Sequence, residues 1–283
     1  MEKHLLLTVG DDLTSLCEVD FINSFFKNKT DIWVTIFSVI TPASSYSSTC
    51  KRDCSIESNS VHDERLAALD TSRTALLRHG VLEDHINAKV VEENHGTVED
   101  IILEARSGHY DAVILGRHGY DLFEQFYSLS TTREILNQKI AVPFWICGNP
   151  EFGRRNVLLC VDGSEASMRA ADHVGFILKD EIEHTVTIFH VDNAGEGNSV
   201  DILKRVEQRL GDKEIPKDRI NNRIVYSSRV TKAIVEEAVI GAYAALAVGH
   251  HMFRPHGFKE WLIGSRCLKL LEAVDKCALW VSQ

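Results

Sequence analysis

Short, dense apolar runs alternate with amphipathic stretches along the whole chain. In residues 1–150 the apolar runs fall at 4–9, 32–39, 86–91, 112–116 and 142–147. Continuous Leu, Ile, Val and Phe over these lengths predicts strands buried on both faces, as in a parallel sheet. Stretches of helical length or spacing lie between and beside them, at 13–26, 61–79, 98–107 and 131–138. Residues 151–283 repeat the alternation, with strands expected at 156–161, 185–191, 224–226, 244–249 and 278–281. The helices expected there cover 166–178, 200–210, 232–241 and 265–273. Five strands alternating with four helices, twice over, predicts an α/β chain of two tandem doubly wound domains. Each is a five-stranded parallel sheet with helices on both faces.

The two halves also echo each other residue by residue. Ala141-Val-Pro-Phe-Trp-Ile-Cys147 returns as Cys277-Ala-Leu-Trp-Val-Ser282, and Lys3-His-Leu-Leu-Leu-Thr-Val9 as Arg155-Asn-Val-Leu-Leu-Cys-Val161. Asp111-Ala-Val-Ile-Leu-Gly116 returns as Ala244-Ala-Leu-Ala-Val-Gly249. The echoes keep their order, which is the mark of a duplication. The turn-rich Gly148-Asn-Pro-Glu-Phe-Gly153 sets the expected division at 1–150 and 151–283. The polar, serine-rich stretch 41–60 is extra length in the first copy, too long for an ordinary connection. The second copy has only 193–199 at that place.

Composition narrows the function classes. The chain has 283 residues, 44% of them hydrophobic and 25% charged, enough for an ordinary core in each half. Its formal charge of -10 works against sequence-independent nucleic-acid binding, which needs a basic face to displace counterions. No apolar run approaches the roughly 20 residues of a membrane span, and Met1-Glu-Lys-His leads straight into a strand rather than a signal peptide. A cytoplasmic protein is expected. Cys147, Cys160, Cys267 and Cys277 sit in or beside apolar segments, as reduced buried thiols do. Cys50 and Cys54 flank Lys51 and Arg52 in a polar stretch, where a redox or metal role competes with the commoner reading of a passive loop.

Ligands of open parallel sheets sit beyond the carboxyl ends of the strands. Two segments there draw attention. In Leu158-Leu-Cys-Val-Asp162-Gly-Ser-Glu-Ala-Ser167 an aspartate ends a strand, Gly163 permits a tight turn, and Ser164 can cap the next helix. Capping alone also explains that pattern. The second segment runs from Gly249 through His250, His251, Met252 and Trp261 to Gly264-Ser265, where a glycine opening a helix offers backbone N–H groups to an anion.

With these segments the chain resembles a tandem member of the universal stress protein family over nearly its whole length. The family pattern is an aspartate ending the first strand, then Gly-x-x-Gly, about nine residues and Gly-Ser or Gly-Thr after the fourth. The resemblance implies an ATP site in which the aspartate meets the nucleoside and the glycine loop wraps the phosphates. It also implies domains that pair through their last strands. Neither copy keeps the full pattern. The first has Gly116-Arg-His-Gly119 and nine residues from Tyr120 to Ser128, but Leu129-Ser130 replaces Gly-Ser. Gly10 stands at its aspartate position, followed by Asp11 and Asp12. The second has Asp162 and Gly264-Ser265, but Met252 replaces the second glycine, with eleven residues from Phe253 to Ile263. One lost charge-assisted hydrogen bond to phosphate costs about 1.5–3 kcal/mol.

Asp162, Val191, Gly249, Gly264 and Ser265 are therefore the candidate nucleotide residues of the second half. Gly116, Gly119 and Ser130 form a weaker set in the first. ATP, with magnesium as its companion, is the expected ligand of a signalling or regulatory module in the stress response. Protein partners are expected but not specified, as is a homodimer beyond the pair of halves. His250, His251, His256 and His118 offer a rival metal chemistry, but no Cys or carboxylate set completes a ligand spacing. Neither a phosphate-binding Gly-x-x-x-x-Gly-Lys loop nor a Gly-x-Ser-x-Gly elbow occurs, so no catalytic or metal residue is assigned. Slow ATP hydrolysis is compatible with the resemblance. The alternative is a tandem scaffold with decayed sites that acts through protein partners or an apolar ligand, with Met252, Phe253, Phe258 and Trp261 filling or lining the former phosphate space.

Overall fold

The computed structural model describes residues 1–9, 16–40, 54–116, 142–193, 198–249, 270 and 276–282, with the backbone alone for 54–62. Among the described residues ten strands are seen: β1 (Lys3–Thr8), β2 (Ile32–Ile40), β3 (Ile86–Glu92), β4 (Ala112–Leu115) and β5 (Phe144–Ile146), then β6 (Val157–Cys160), β7 (Val186–Asp192), β8 (Ile220–Tyr226), β9 (Ala245–Gly249) and β10 (Ala278–Ser282). Among the described residues, six α-helices join them: α1 (Cys17–Phe25), α2 (Cys54–Arg78), α3 (Thr97–Ser107), α4 (Glu165–Leu178), α5 (Ser199–Asp212) and α6 (Val230–Ile240).

The strands form one sheet in the order β3-β2-β1-β4-β5-β10-β9-β6-β7-β8. Every neighbouring pair is parallel except β5 and β10, which meet antiparallel with Trp145 opposite Trp280. Each half therefore contributes five parallel strands in the same order, and the halves merge through their last strands. Adjacent strand residues point to opposite faces, so Leu5 and Leu7 join one core while Leu6 joins the other. Residues of α1, α2, α4 and α5 pack into the first core, and those of α3 and α6 into the second.

The central strands are apolar throughout because both faces are covered. At the two ends of the sheet the rule changes. β8 begins four residues before the apolar 224–226, because Asn221, Asn222 and Arg223 lie exposed on an edge strand that tolerates polar side chains. The serine-rich stretch, expected to stay outside helix to residue 60, is already helical from Cys54, where α2 begins. Its first two turns carry a single large apolar residue, Ile56, too few to register as a helical stripe.

The join between the halves is aromatic and nearly dry. The rings of Trp145 and Trp280 stack with centroids 4.4 Å apart, and Phe21 and Phe25 meet Trp280 edge-on. Trp145 Nε1 donates to His173 Nε2 of α4 at 2.9 Å, linking β5 of one half to a helix of the other. At the amino end of β1 the buried Lys3 ammonium reaches Asp180 at 3.1 Å, and the Lys27 backbone N–H donates to Glu181 at 3.0 Å.

A polar module recurs in both halves. Tyr110 donates to Glu104 at 2.9 Å, and Glu104 also pairs with Lys89. Tyr243 donates to Glu237 at 3.0 Å, and Glu237 pairs with Arg223 at 2.8 Å.

Candidate functional site

Strand order reverses between β6 and β9, so the carboxyl ends of β6, β7 and β9 splay around a crevice, the place such sheets offer to ligands. A cavity of about 320 Å³ opens there. Asp162, Val191 and Gly249, candidates from three separate stretches of sequence, all line it. Gly264 and Ser265 lie outside the described residues, as do Gly119, Ser130, Gly10, Asp11 and Asp12. So do Cys50 and the loop residues from His250 to Trp261, and His118 with them.

The turn from β6 into α4 is built by local chemistry. Asp162 Oδ1 accepts the Ser164 backbone N–H at 3.0 Å, and Gly163 takes φ +85°, a conformation that L side chains rarely adopt. Ser164 caps α4, its hydroxyl oxygen accepting the Ser167 N–H at 3.2 Å. Asp162 therefore serves the turn and lines the cavity at once. Gly249 has a packing reason of its own. A Cβ there would stand 2.3 Å from the backbone carbon of Ala166 and the nitrogen of Ser167, so the end of β9 lies flat against the first turn of α4.

The cavity wall has an apolar part and a polar part. Phe189, Ile202, Val230 and Ile234 supply the first. The second includes His190 and Asp192, whose side chains the strand's pleat sets on one face of β7. Both are buried. His190 Nδ1 lies 2.8 Å from the Val161 carbonyl oxygen, and Asp192 accepts the Ser199 hydroxyl at 2.9 Å. The only available signal for these two in the sequence was a histidine and an aspartate interrupting an apolar strand at its carboxyl end. Cys160 also lines the cavity, and burial pushes its thiol pKa up, so it is present as a neutral apolar group. No lysine or arginine stands among the described lining residues.

The corresponding place in the first half differs. Gly116 follows β4 as expected, but a Cβ there would meet the carboxylate of Glu18, with Oε2 at 2.4 Å. Glu18 is only 4% exposed and sits in the first turn of α1, whose N-terminus carries no side-chain cap. A carboxylate already occupies the helix start that would otherwise draw an anion. The Cys17 thiol lies 3.4 Å from both that carboxyl group and the Cys147 carbonyl, which share its one proton.

Among the described residues no three His, Cys, Asp or Glu side chains gather as a metal site, and no helix is long and apolar enough to cross a membrane.

No protein-family model matches the chain, and neither does any curated protein. Solved structures do. A functionally unknown protein from Pseudomonas aeruginosa aligns over 99% of this chain and 92% of its own, with 12% identity and a TM-score of 0.54. A protein of the same species, described as a proposed universal stress protein, aligns over 99% and 93%, with 11% identity and a TM-score of 0.52. A universal stress protein in complex with cAMP aligns over 45% of this chain and 95% of its own, at 21% identity. Its TM-score of 0.37 is too low to carry an argument. The chain has the tandem fold of the two longer structures.

Proposed function

We propose that this chain is a tandem universal stress protein, divided near residue 150, that binds ATP or a related nucleotide in its second half. One observation carries the reading: Asp162, Val191 and Gly249 converge on a single cavity at the point where strand order reverses. A volume of about 320 Å³ falls at the lower end of the range for small-molecule sites. Phe189, Ile202, Val230 and Ile234 can hold a flat base, and Asp162 can accept from a ribose hydroxyl. The family resemblance assigns the phosphates to Gly264 and Ser265, which lie outside the described residues. Bound nucleotide changes which partner proteins the cytoplasmic protein engages during stress.

The scaffold alternative fits the first half. Glu18 places a buried carboxyl group beside Gly116, so the space a phosphate would need at that helix start is already filled. The first half then supports the second through the Trp145–Trp280 join.

Thermal unfolding with and without MgATP tests the proposal. A ligand at a hundred times its Kd stabilises the folded state by about 2.7 kcal/mol. The melting temperature should rise by roughly 5 °C in the wild type, and Asp162→Ala should abolish the rise. An unchanged melting temperature up to millimolar nucleotide would overturn the reading.

A further inference from the structure

The join sets equivalent positions of a duplication face to face, and those positions do not carry equivalent residues. Residues 5–37 match 157–189 without a gap. Leu5 pairs with Val34 as Val157 pairs with Val186, and the Val9 N–H meets the Phe37 carbonyl as the Val161 N–H meets that of Phe189. Each residue of α1 and of the turn after it therefore has a counterpart in α4 and the turn that follows. Trp145 and Trp280 stand opposite each other in register. Around them the first half supplies Phe21, Phe25 and Phe26, where the second half holds His173, Ile177 and Leu178. Phe25 crosses the join to Trp280 at 5.3 Å and to His184 at 4.7 Å, while Trp145 finds its acceptor in His173. Large side chains of one half thus complement smaller ones of the other. Two first halves would bring twice the phenyl rings to this space and leave both indole N–H groups without the imidazole. Two second halves would leave out all three rings. Overpacking and cavities both destabilise.

Charge follows the same rule in the turns. Lys27-Asn28-Lys29 of the first half is matched by Lys179-Asp180-Glu181 of the second. The buried Lys3 ammonium reaches Asp180 at 3.1 Å, and the Lys27 N–H donates to Glu181 at 3.0 Å. Lys29 and Glu181 hold the same position in the two copies and face each other. Burial lowers the Lys29 pKa and raises that of Glu181, and each draws the other back. Two first halves would set Lys29 against Lys29 and leave the buried Lys3 facing Asn28 in place of a carboxylate. Two second halves would set Glu181 against Glu181. Removing one partner of a buried pair is strongly destabilising, and like groups brought together are a recurrent way of refusing the wrong partner.

We propose that the join is a recognition surface that selects the unlike half and refuses its own kind. Size is read where Phe21, Phe25 and Phe26 are matched by His173, Ile177 and Leu178. Charge is read where Lys3 and Lys29 meet Asp180 and Glu181. The consequence is closure. Halves that accepted their own kind would link each chain to two others and grow an open polymer, whereas unlike halves close within one chain. This selection is independent of what the cavity binds.

Exchanging the turns tests this on the full chain. Asn28→Asp with Lys29→Glu gives the first half the acidic turn, and Asp180→Asn with Glu181→Lys gives the second half the basic one. Either pair alone makes the two turns of a chain alike, and all four substitutions together exchange them. Each chain with like turns should have a lower urea midpoint than wild type, and the exchanged chain should regain most of that loss. The acidic-turn chain, isotope-labelled, is then refolded together with the basic-turn chain, and native mass spectrometry counts the two-chain species. Random association makes half of those species mixed, as wild type refolded with labelled wild type should show. The two variants should exceed that share clearly, because each supplies the turn that the other lacks. A mixed share no higher than that of the wild type would overturn the proposal. So would an exchanged chain no more stable than the chains with like turns.

Discussion

Acid should loosen the join between the halves, and His173 is the group that reports it. Burial pushes its pKa down to about 3 from an ordinary 6.5. The geometry agrees, because protonating Nε2 removes the lone pair that accepts the Trp145 indole N–H. The unfolded chain binds this proton near pH 6.5 and the folded chain does not until about pH 3. Stability contributed by the neutral ring is thus complete above 6.5 and is lost as pH falls from there toward 3. At pH 5 the loss is about 2 kcal/mol, from 1.5 pH units at about 1.4 kcal/mol each. The residue as a whole is half-buried, so that figure is a ceiling. His184, fully buried beside Phe25 of the other half, has its pKa lowered to about 4 by burial and adds a loss of the same sign. Urea unfolding followed by tryptophan fluorescence at pH 8 and pH 5 measures the effect. His173→Gln keeps an acceptor for Trp145 but removes the titration, so between these pH values it should lose up to about 2 kcal/mol less than wild type. Parallel losses in the two proteins would refute the argument.

Other perturbations separate packing from function. Gly249→Ala drives a methyl into the backbone of α4, whereas Gly116→Ala meets only the movable end of Glu18. The first should cost about 3 kcal/mol or more by overpacking and the second less, as denaturant midpoints will show. Trp280→Ala removes half of the stacked pair at the join and should cost about 3–5 kcal/mol, measured in the same way. Burial raises the thiol pKa of Cys147, Cys160 and Cys277, the last to about 12. A thiol reagent at pH 8 should leave all three unmodified until urea unfolds the chain, which peptide mapping will detect.

The sequence made the fold legible because the strands that matter are buried on both faces. Leu5, Leu6 and Leu7 sit in two opposite cores, and a run of that kind has few other homes. The edges were less legible: Asn221, Asn222 and Arg223 look like loop until a neighbouring strand is known. In the site, Asp162 and Gly163 announced themselves through turn chemistry that needs only neighbouring residues. His190 and Asp192 did not, because their significance depends on Val161 and Ser199 arriving from other elements. Glu18 was invisible for the same reason. Nothing in its local sequence says that it will lie against Gly116, nearly a hundred residues away.

Calorimetric titration of the full chain with MgATP, beside Asp162→Ala, tests the central claim most directly. The account predicts saturable binding of a single nucleotide per chain, lost in the variant, because Glu18 bars the first half and Asp162 serves the second. No heat up to millimolar nucleotide, or binding that survives Asp162→Ala unchanged, would contradict it.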